Sequence, residues 1–536
     1  MASPTPTPNR SLRETWRADL LAGFMVSLIA LPLCLGIAMA SGFPAIAGIT
    51  TAIVGGVLTT FFGSAPLTIK GPAAGLIVIA LGAVNDLGGG DPAVGYRRAL
   101  ATIAVAAVLQ LLFSALKAGA LGDFFPSSVV HGMLAAIGVI ICSKQIHTLL
   151  GVTPTPGDTL HLLGQIPRSI SLLDPEVSGI GALSLLILFG LPRLKIRRLE
   201  RVPPPIVVVV AAIGLGVWFD LGADSGATSD AAGSSSKLVQ LPADLLSALQ
   251  FPDFSRVHSA ASIKYIFMFA LVGSIESLLS AKAVDALDPA KRRADLDKDL
   301  FATGVGNLVS GLLGALPMIS EIVRSSANLH AGAKSRWANF FHGIFLLLFV
   351  VGAPWLLTKI PLAALAAMLV FTGLHLTSPR VFAKNWKIGP EQMVTFACTL
   401  ALTIATDLLV GVFGGVVVKT LLHLRAGMPL SQTFSPRVHV ETHADGVTMH
   451  VEQAAVFSNY LTIRRHLARL PGSAAVTIDL AQTRLVDHTV MEKLHQLQDE
   501  WRQEGRTLEI VGLDDHARVS AHALSTRRKS APPSLG

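Results

Sequence analysis

The stretch ALPMISEIVRSSANLHAG, residues 315–332, sets Glu321 three positions before Arg324 in a region that otherwise reads as lipid-embedded. An ion at mid-membrane costs at least about 2.5–3.5 kcal/mol on insertion scales, so each of these residues needs a partner or a pathway. Pro317 opens the stretch, and small residues follow it. A proline, a short extended run and then a short helix is the pattern of a broken membrane segment. A similar plan occurs in SAPLTIKGPAAGLIVIA, residues 64–80. Counted from Pro66 and Pro317, Lys70 and Glu321 stand at the same offset of four. Such segments in corresponding halves of a chain point to a site near the bilayer midplane. Two unrelated proline loops would give the same echo, so it decides little alone.

The chain around them has 536 residues, 51% hydrophobic and 15% charged, with a mean hydropathy of +0.57. Soluble domains carry about 25% charged residues. Apolar runs recur at 20–40, 98–116, 128–142, 179–192, 204–219, 265–282, 340–357 and 391–424, the last long enough for two crossings. Runs of this order span a hydrocarbon core of about 30 Å. The fold class is a polytopic α-helical membrane protein. No cleavable signal peptide is expected, because MASPTPTPNRSLRETWRADL is polar and proline-rich. Cys34, Cys142 and Cys398 sit in apolar runs and read as buried thiols.

The net charge of +8 is gathered at Arg10, Arg13 and Arg17, in RLKIRRLER (193–201), in KRR (291–293), at Lys384 and Lys387 and at Arg425. The positive-inside rule makes these loops and both termini cytoplasmic, which favours a lipid bilayer over nucleic acid as the partner. The loop 221–240 should face outward. Arg97 and Arg98 fit the rule less well, since they also fall outside.

Residues 1–18 read as a cytoplasmic tail, 19–426 as the membrane unit, 427–525 as a small α/β domain and 526–536 as a disordered tail. RVHVETHADGVTMHVEQAAVF alternates about Asp445-Gly446 and predicts a hairpin. Helix, strand, helix and strand are expected in NYLTIRRHLARL, AAVTIDL, VMEKLHQLQDEWRQEG and RTLEIVGL, then a helix in DDHARVSAHAL. No nucleophile–base arrangement appears, and His131, His330 and His342 lack metal-ligand spacing, so neither an enzyme nor a metal cofactor is expected.

Several stretches carry a family resemblance: LPLCLGIAMASGFPAIAGI (31–49), IKGPAAGLIVI (69–79), FPSSVVHGMLAAIGVIICSKQI (125–146), and most specifically the block 274–335 with SIESLLS, GVGN and RSSANLHAGAKS. Together with the soluble module, they resemble the SulP anion permeases, the solute carrier family 26 type. The resemblance implies about fourteen membrane segments as two inverted repeats of seven, forming core and gate domains, followed by a cytoplasmic STAS domain. It implies a secondary active transporter of sulfate or bicarbonate, coupled to H⁺ or Na⁺, working by an elevator-type movement as a homodimer; the compact loops and composition suggest a bacterial inner membrane. A fumarate-like dicarboxylate symporter and an uncoupled exchanger or channel remain alternatives.

The same resemblance places the third and tenth segments as short half-helices whose N-termini face each other. Here those termini would fall at Gly71–Gly75 and Ser320–Ser325. Paired N-termini attract anions through free N–H groups and aligned dipoles. Gly71, Ala73, Ala74 and Gly75 would expose backbone N–H groups, Ser320 and Ser325 would donate hydroxyls, and Arg324 would add fixed charge. Glu276, in the eighth segment, matches the family's coupling carboxylate; with Ser280 one turn on, it could hold Na⁺ or take a proton, a structural ion pair being the plainer role. Glu321 would repel an anion, so it is expected either to brace the half-helices by pairing with Lys70 or to carry the coupling proton itself. In the STAS module, Asp487, His488 and Thr489 stand where relatives have a phosphorylatable turn. That leaves a structural, dimerising or partner-docking role for it.

Overall fold

The computed structural model describes residues 12–119, 124–155, 157–194, 203–221, 237–241, 249–290, 292–443, 446–470, 475–503 and 505–529. The expectations for the outward loop 222–236, for Asp445 in the hairpin turn, for most of the basic run 193–201 and for the tail beyond Lys529 lie outside these residues. Two compact units emerge, one from residues 6–122 and 137–375, the other mainly from 123–136 and 376–536. The second unit groups the last membrane helices with the soluble domain.

Among the described residues eight helices are long and apolar enough to cross a bilayer. Three shorter apolar helices follow the same pattern: Ala74–Gly88, Pro204–Trp218 and Trp337–Gly352. Leu296–Leu312, Pro390–Ala405 and the nine-residue Ile322–His330 complete the expected series. Local chemistry sets the starts. Asp91 accepts from Ala93 and Val94 ahead of a helix with proline in its first turn, and Asp295 accepts from Asp297 and Lys298. Small residues let helices close up: a Cβ on Gly56 would lie 2.6 Å from the Gly343 Cα.

The first unit holds a two-stranded antiparallel sheet, β1 (Ile69–Pro72) with β2 (Met318–Glu321). Extended backbone at this depth must be covered and satisfied. Side chains from flanking helices do this: Ile69 N–H donates to Ser325 Oγ, Lys70 N–H to Asn339 Oδ1, Met318 N–H to Asn307 Oδ1 and Ser320 N–H to Ser277 Oγ, at 2.6–3.1 Å.

The second unit carries the α/β domain. Its strands are β3 (Arg437–His443), β4 (Gly446–Ala455), β5 (Val476–Asp479), β6 (Thr483–Val486), β7 (Leu508–Val511), β8 (His516–Arg518) and β9 (Arg527–Lys529), ordered β7-β5-β4-β6-β9-β8 with β3 beside β4. The hairpin, the helices Tyr460–Ala468 and His488–Gln503 and the strands β5 and β7 form where the periodicity placed them. Two expectations fail. DDHARVSAHAL is not a helix but contains β8, and the tail is ordered to Lys529, so the boundary at 525 cuts through the domain. The reason is tertiary: β9 pairs antiparallel with β6, itself unforeseen, and β8 then pairs with β9. Those unpaired edge groups outweigh the weak helical pattern.

Polar contacts tie this domain to the membrane helices Pro390–Ala405 and Leu408–Arg425. Asp487 accepts from the Val490 N–H at 2.7 Å and the Phe457 N–H at 3.2 Å, and His423 Nε2 stands 3.5 Å from it. Arg528 pairs with Glu391. Burial pushes the His488 imidazole below its ordinary range, although Glu492 and Asp487 favour its charge and its Nδ1–H donates to the Leu524 carbonyl.

Candidate functional site

Register decides which side chains meet. Lys70 stands opposite Ser320 and Ile69 opposite Glu321, and successive residues of a strand point to opposite faces. Lys70 and Glu321 are therefore on different faces of the little sheet, and the expected Lys70–Glu321 brace does not form. The Lys70 ammonium instead donates to Asp299 Oδ2 at 2.9 Å, Thr303 Oγ1 at 2.9 Å and Ser320 Oγ at 2.8 Å. Both ions of the Lys70–Asp299 pair are buried. Beside them lies a cavity of about 10 Å³ lined by Thr59, Thr60, Thr68 and Asn339 as well as the pair, about the room one water needs.

The other face carries Gly71, Ile319 and Glu321, and the Arg324 guanidinium lies against it. A Cβ on Gly71 would overlap Arg324 Nη1. Arg324 is 1% exposed, and Nη2 donates to the Pro72 carbonyl at 3.4 Å, while Nε and Nη1 have no partner among the described residues. Glu276, on the helix Ala260–Leu287, presses its carboxylate on Gly75 so closely that a Cβ there would overlap Oε1, and its Oε2 is also without a partner. Ser280 is buried one turn along the same helix. Glu321 is the N-cap residue of Ile322–His330 and faces Arg324 and the Ala74 N–H. A carboxylate there offsets the helix dipole.

The proposed donors divide. Gly71 lies in β1 rather than at a helix start, Ala73 is extended, and a 3₁₀ turn, Ala74–Leu76, containing Ala74 and Gly75, leads into Ile77–Gly88. Ser325 donates to the Glu321 carbonyl and accepts from Ile69, and Ser320 donates to Asp299. These two hydroxyls join the half-segments to each other and to their neighbours. Among the described residues, Nε and Nη1 of Arg324 and Oε2 of Glu276 are buried without a partner. Cys34 and His342 stand within electrostatic reach of Arg324, and both ring nitrogens of buried His342 lack partners among the described residues.

Asp299 was missed, though its signal is in the chain. Asp299, Thr303 and Asn307 recur every four residues and make one polar stripe on the helix Leu296–Leu312. Among the described residues no group of His, Cys, Asp and Glu suits a metal ion.

Comparison with known proteins agrees with this architecture. The model of the Sulfate permease family matches residues 16–399. The bicarbonate transporter BicA of Picosynechococcus sp. is 25% identical over 433 residues, covering 80% of this chain and 73% of that one. The solved transmembrane domain of a cyanobacterium bicarbonate transporter BicA matches with a TM-score of 0.64 at 24% identity, over 77% of this chain and all of that one. The murine Slc26a9 anion transporter, solved in an inward-facing state, matches at 0.68 and 16% identity over 94% of this chain and 86% of its own. These structures show the fold, and the C-terminal sheet fits a STAS domain. With nearly all of its membrane region matched, this chain is an integral membrane protein of the sulfate permease family, a family of anion transporters and not of enzymes.

Proposed function

We propose that the chain is a secondary active carrier of a small inorganic oxyanion, bicarbonate or sulfate, with Arg324 holding the anion and Glu276 taking the coupling cation. The observation that carries this is the pair of unsatisfied buried groups facing the broken segments, guanidinium N–H on one side and carboxylate oxygen on the other. Unmet buried ions are costly unless a ligand or proton completes them. Charge balance ranks bicarbonate first. Arg324 is offset by Glu321 and Lys70 by Asp299, so the two short helices, with roughly half a positive charge at each N-terminus, match a monoanion once Glu276 is neutralised by H⁺ or Na⁺. An elevator-type movement, homodimer assembly, cytoplasmic termini in a bacterial inner membrane and docking of a cytosolic protein by the STAS domain belong to the same proposal.

The test is uptake of labelled bicarbonate and sulfate into proteoliposomes under imposed H⁺ or Na⁺ gradients, wild type beside Glu276→Gln. Gradient-driven uptake of either anion, lost in the variant, supports the reading, and the effective gradient names the cation. Uptake of neither anion, or gradient-driven uptake unchanged in the variant, overturns it.

A further inference from the structure

Lys70 has the surroundings of a bound ion rather than of an ordinary ion pair. An ammonium has three N–H donors, and here each finds an oxygen at 2.8–2.9 Å: Asp299 Oδ2, Thr303 Oγ1 and Ser320 Oγ. The acceptors are themselves fixed. Thr303 spends its hydroxyl proton on the Asp299 carbonyl at 2.9 Å and Ser320 spends its own on Asp299 Oδ2 at 3.1 Å, so both turn lone pairs toward Nζ. The second carboxylate oxygen, Asp299 Oδ1, is buried without a partner among the described residues. One carboxylate and two hydroxyls, next to a cavity of about 10 Å³, make an oxygen set suited to a small monovalent cation.

We propose that this is a monovalent-cation site filled by the chain's own lysine. The Lys70 head group stands where a free sodium-class or alkylammonium ion would otherwise bind, so this position draws no ion from solution while Lys70 is present. The tether is Lys70's place in β1, and the ligands come from β2 and from the helix Leu296–Leu312. The cation therefore cross-links the two broken segments without having to be bound and released. This does not depend on which anion is carried or on the role of Glu276.

The experiment is thermal unfolding of the purified full-length protein in detergent, at constant ionic strength, with methylammonium, Na⁺ or choline as the chloride salt. Lys70→Ala should melt lower than wild type and recover most of the loss, saturably, with methylammonium or Na⁺ but not with choline. Wild type should show no such response, nor should Lys70→Ala/Asp299→Asn. A single variant indifferent to small cations, or a wild type that responds equally, overturns the proposal. If Lys70→Ala does not accumulate, it is expressed with methylamine in the medium, which crosses membranes as the free base. Restored yield for the single but not the double variant supports the site, and no restoration overturns it. Because the readout is stability, its failure is distinct from a failure of the transport reading.

Discussion

A side chain at position 71 would occupy the space that the Arg324 guanidinium fills, so Gly71 and Arg324 form one unit across two segments 253 residues apart. Gly71→Ala should displace the guanidinium without removing its charge. We expect uptake to fall at least about tenfold, equivalent to roughly 1.4 kcal/mol, with normal amounts of protein in the membrane. Uptake at wild-type rates would separate Arg324 from the anion.

Removing one member of a buried ion pair leaves an uncompensated charge, which costs about 3–5 kcal/mol, whereas replacing both can be nearly neutral. Asp299→Asn should therefore lower the melting temperature more than Lys70→Met/Asp299→Asn does. A double variant as unstable as the sum of the singles would mean that the two side chains are not coupled. A double-mutant cycle on purified protein reads this directly.

Exchanging charges between Lys70 and Glu321 should bring no rescue, because the register puts them on opposite faces of the sheet. Lys70→Glu/Glu321→Lys is expected to be at least as impaired in folding yield as the worse single variant. Recovery toward wild type would require a different register.

His488 should make stability fall on acidification. Its folded value is depressed by burial, so below about pH 6.5 the unfolded chain takes up a proton that the folded one refuses. The contribution is complete above that pH and is lost as pH falls toward the folded value, by up to about 1.4 kcal/mol per pH unit. Comparing full-length wild type with His488→Gln between pH 7.5 and 5.5 should show a shallower decline in the variant. Parallel curves would assign the decline to other groups.

The membrane class and the two broken segments could be read from apolar run length and from prolines and charges placed among small residues, whereas Glu276 stood out only through the family resemblance. The partner of Lys70 could not be read. Equal offset from two prolines makes Lys70 and Glu321 equivalent only where the two stretches are true repeats, and even equivalence under an inverted repeat is not contact. The pairing sum of the strands joins Lys70 to Ser320 and turns Glu321 away. Strand β9 was hidden for a related reason. Arg527, Arg528 and Lys529 look like a solvated tail, and only the edge of β6 gives them a ladder to join. Sequence alone does not separate the two uses of Ser320 and Ser325, because a hydroxyl in a membrane segment suits an anion as well as it suits the Asp299 carboxylate or the Glu321 carbonyl that these two bond.

The two strands are hydrogen-bonded to each other and, through Asn307, Asn339, Ser277 and Ser325, to four helices. Prising them apart would strand several amide groups at hydrocarbon depth, at about 1–3 kcal/mol each. Under the proposed carrier function the strands and their four helices would shift as one block, and the amide protons of the strands should be among the slowest in the molecule to exchange with heavy water.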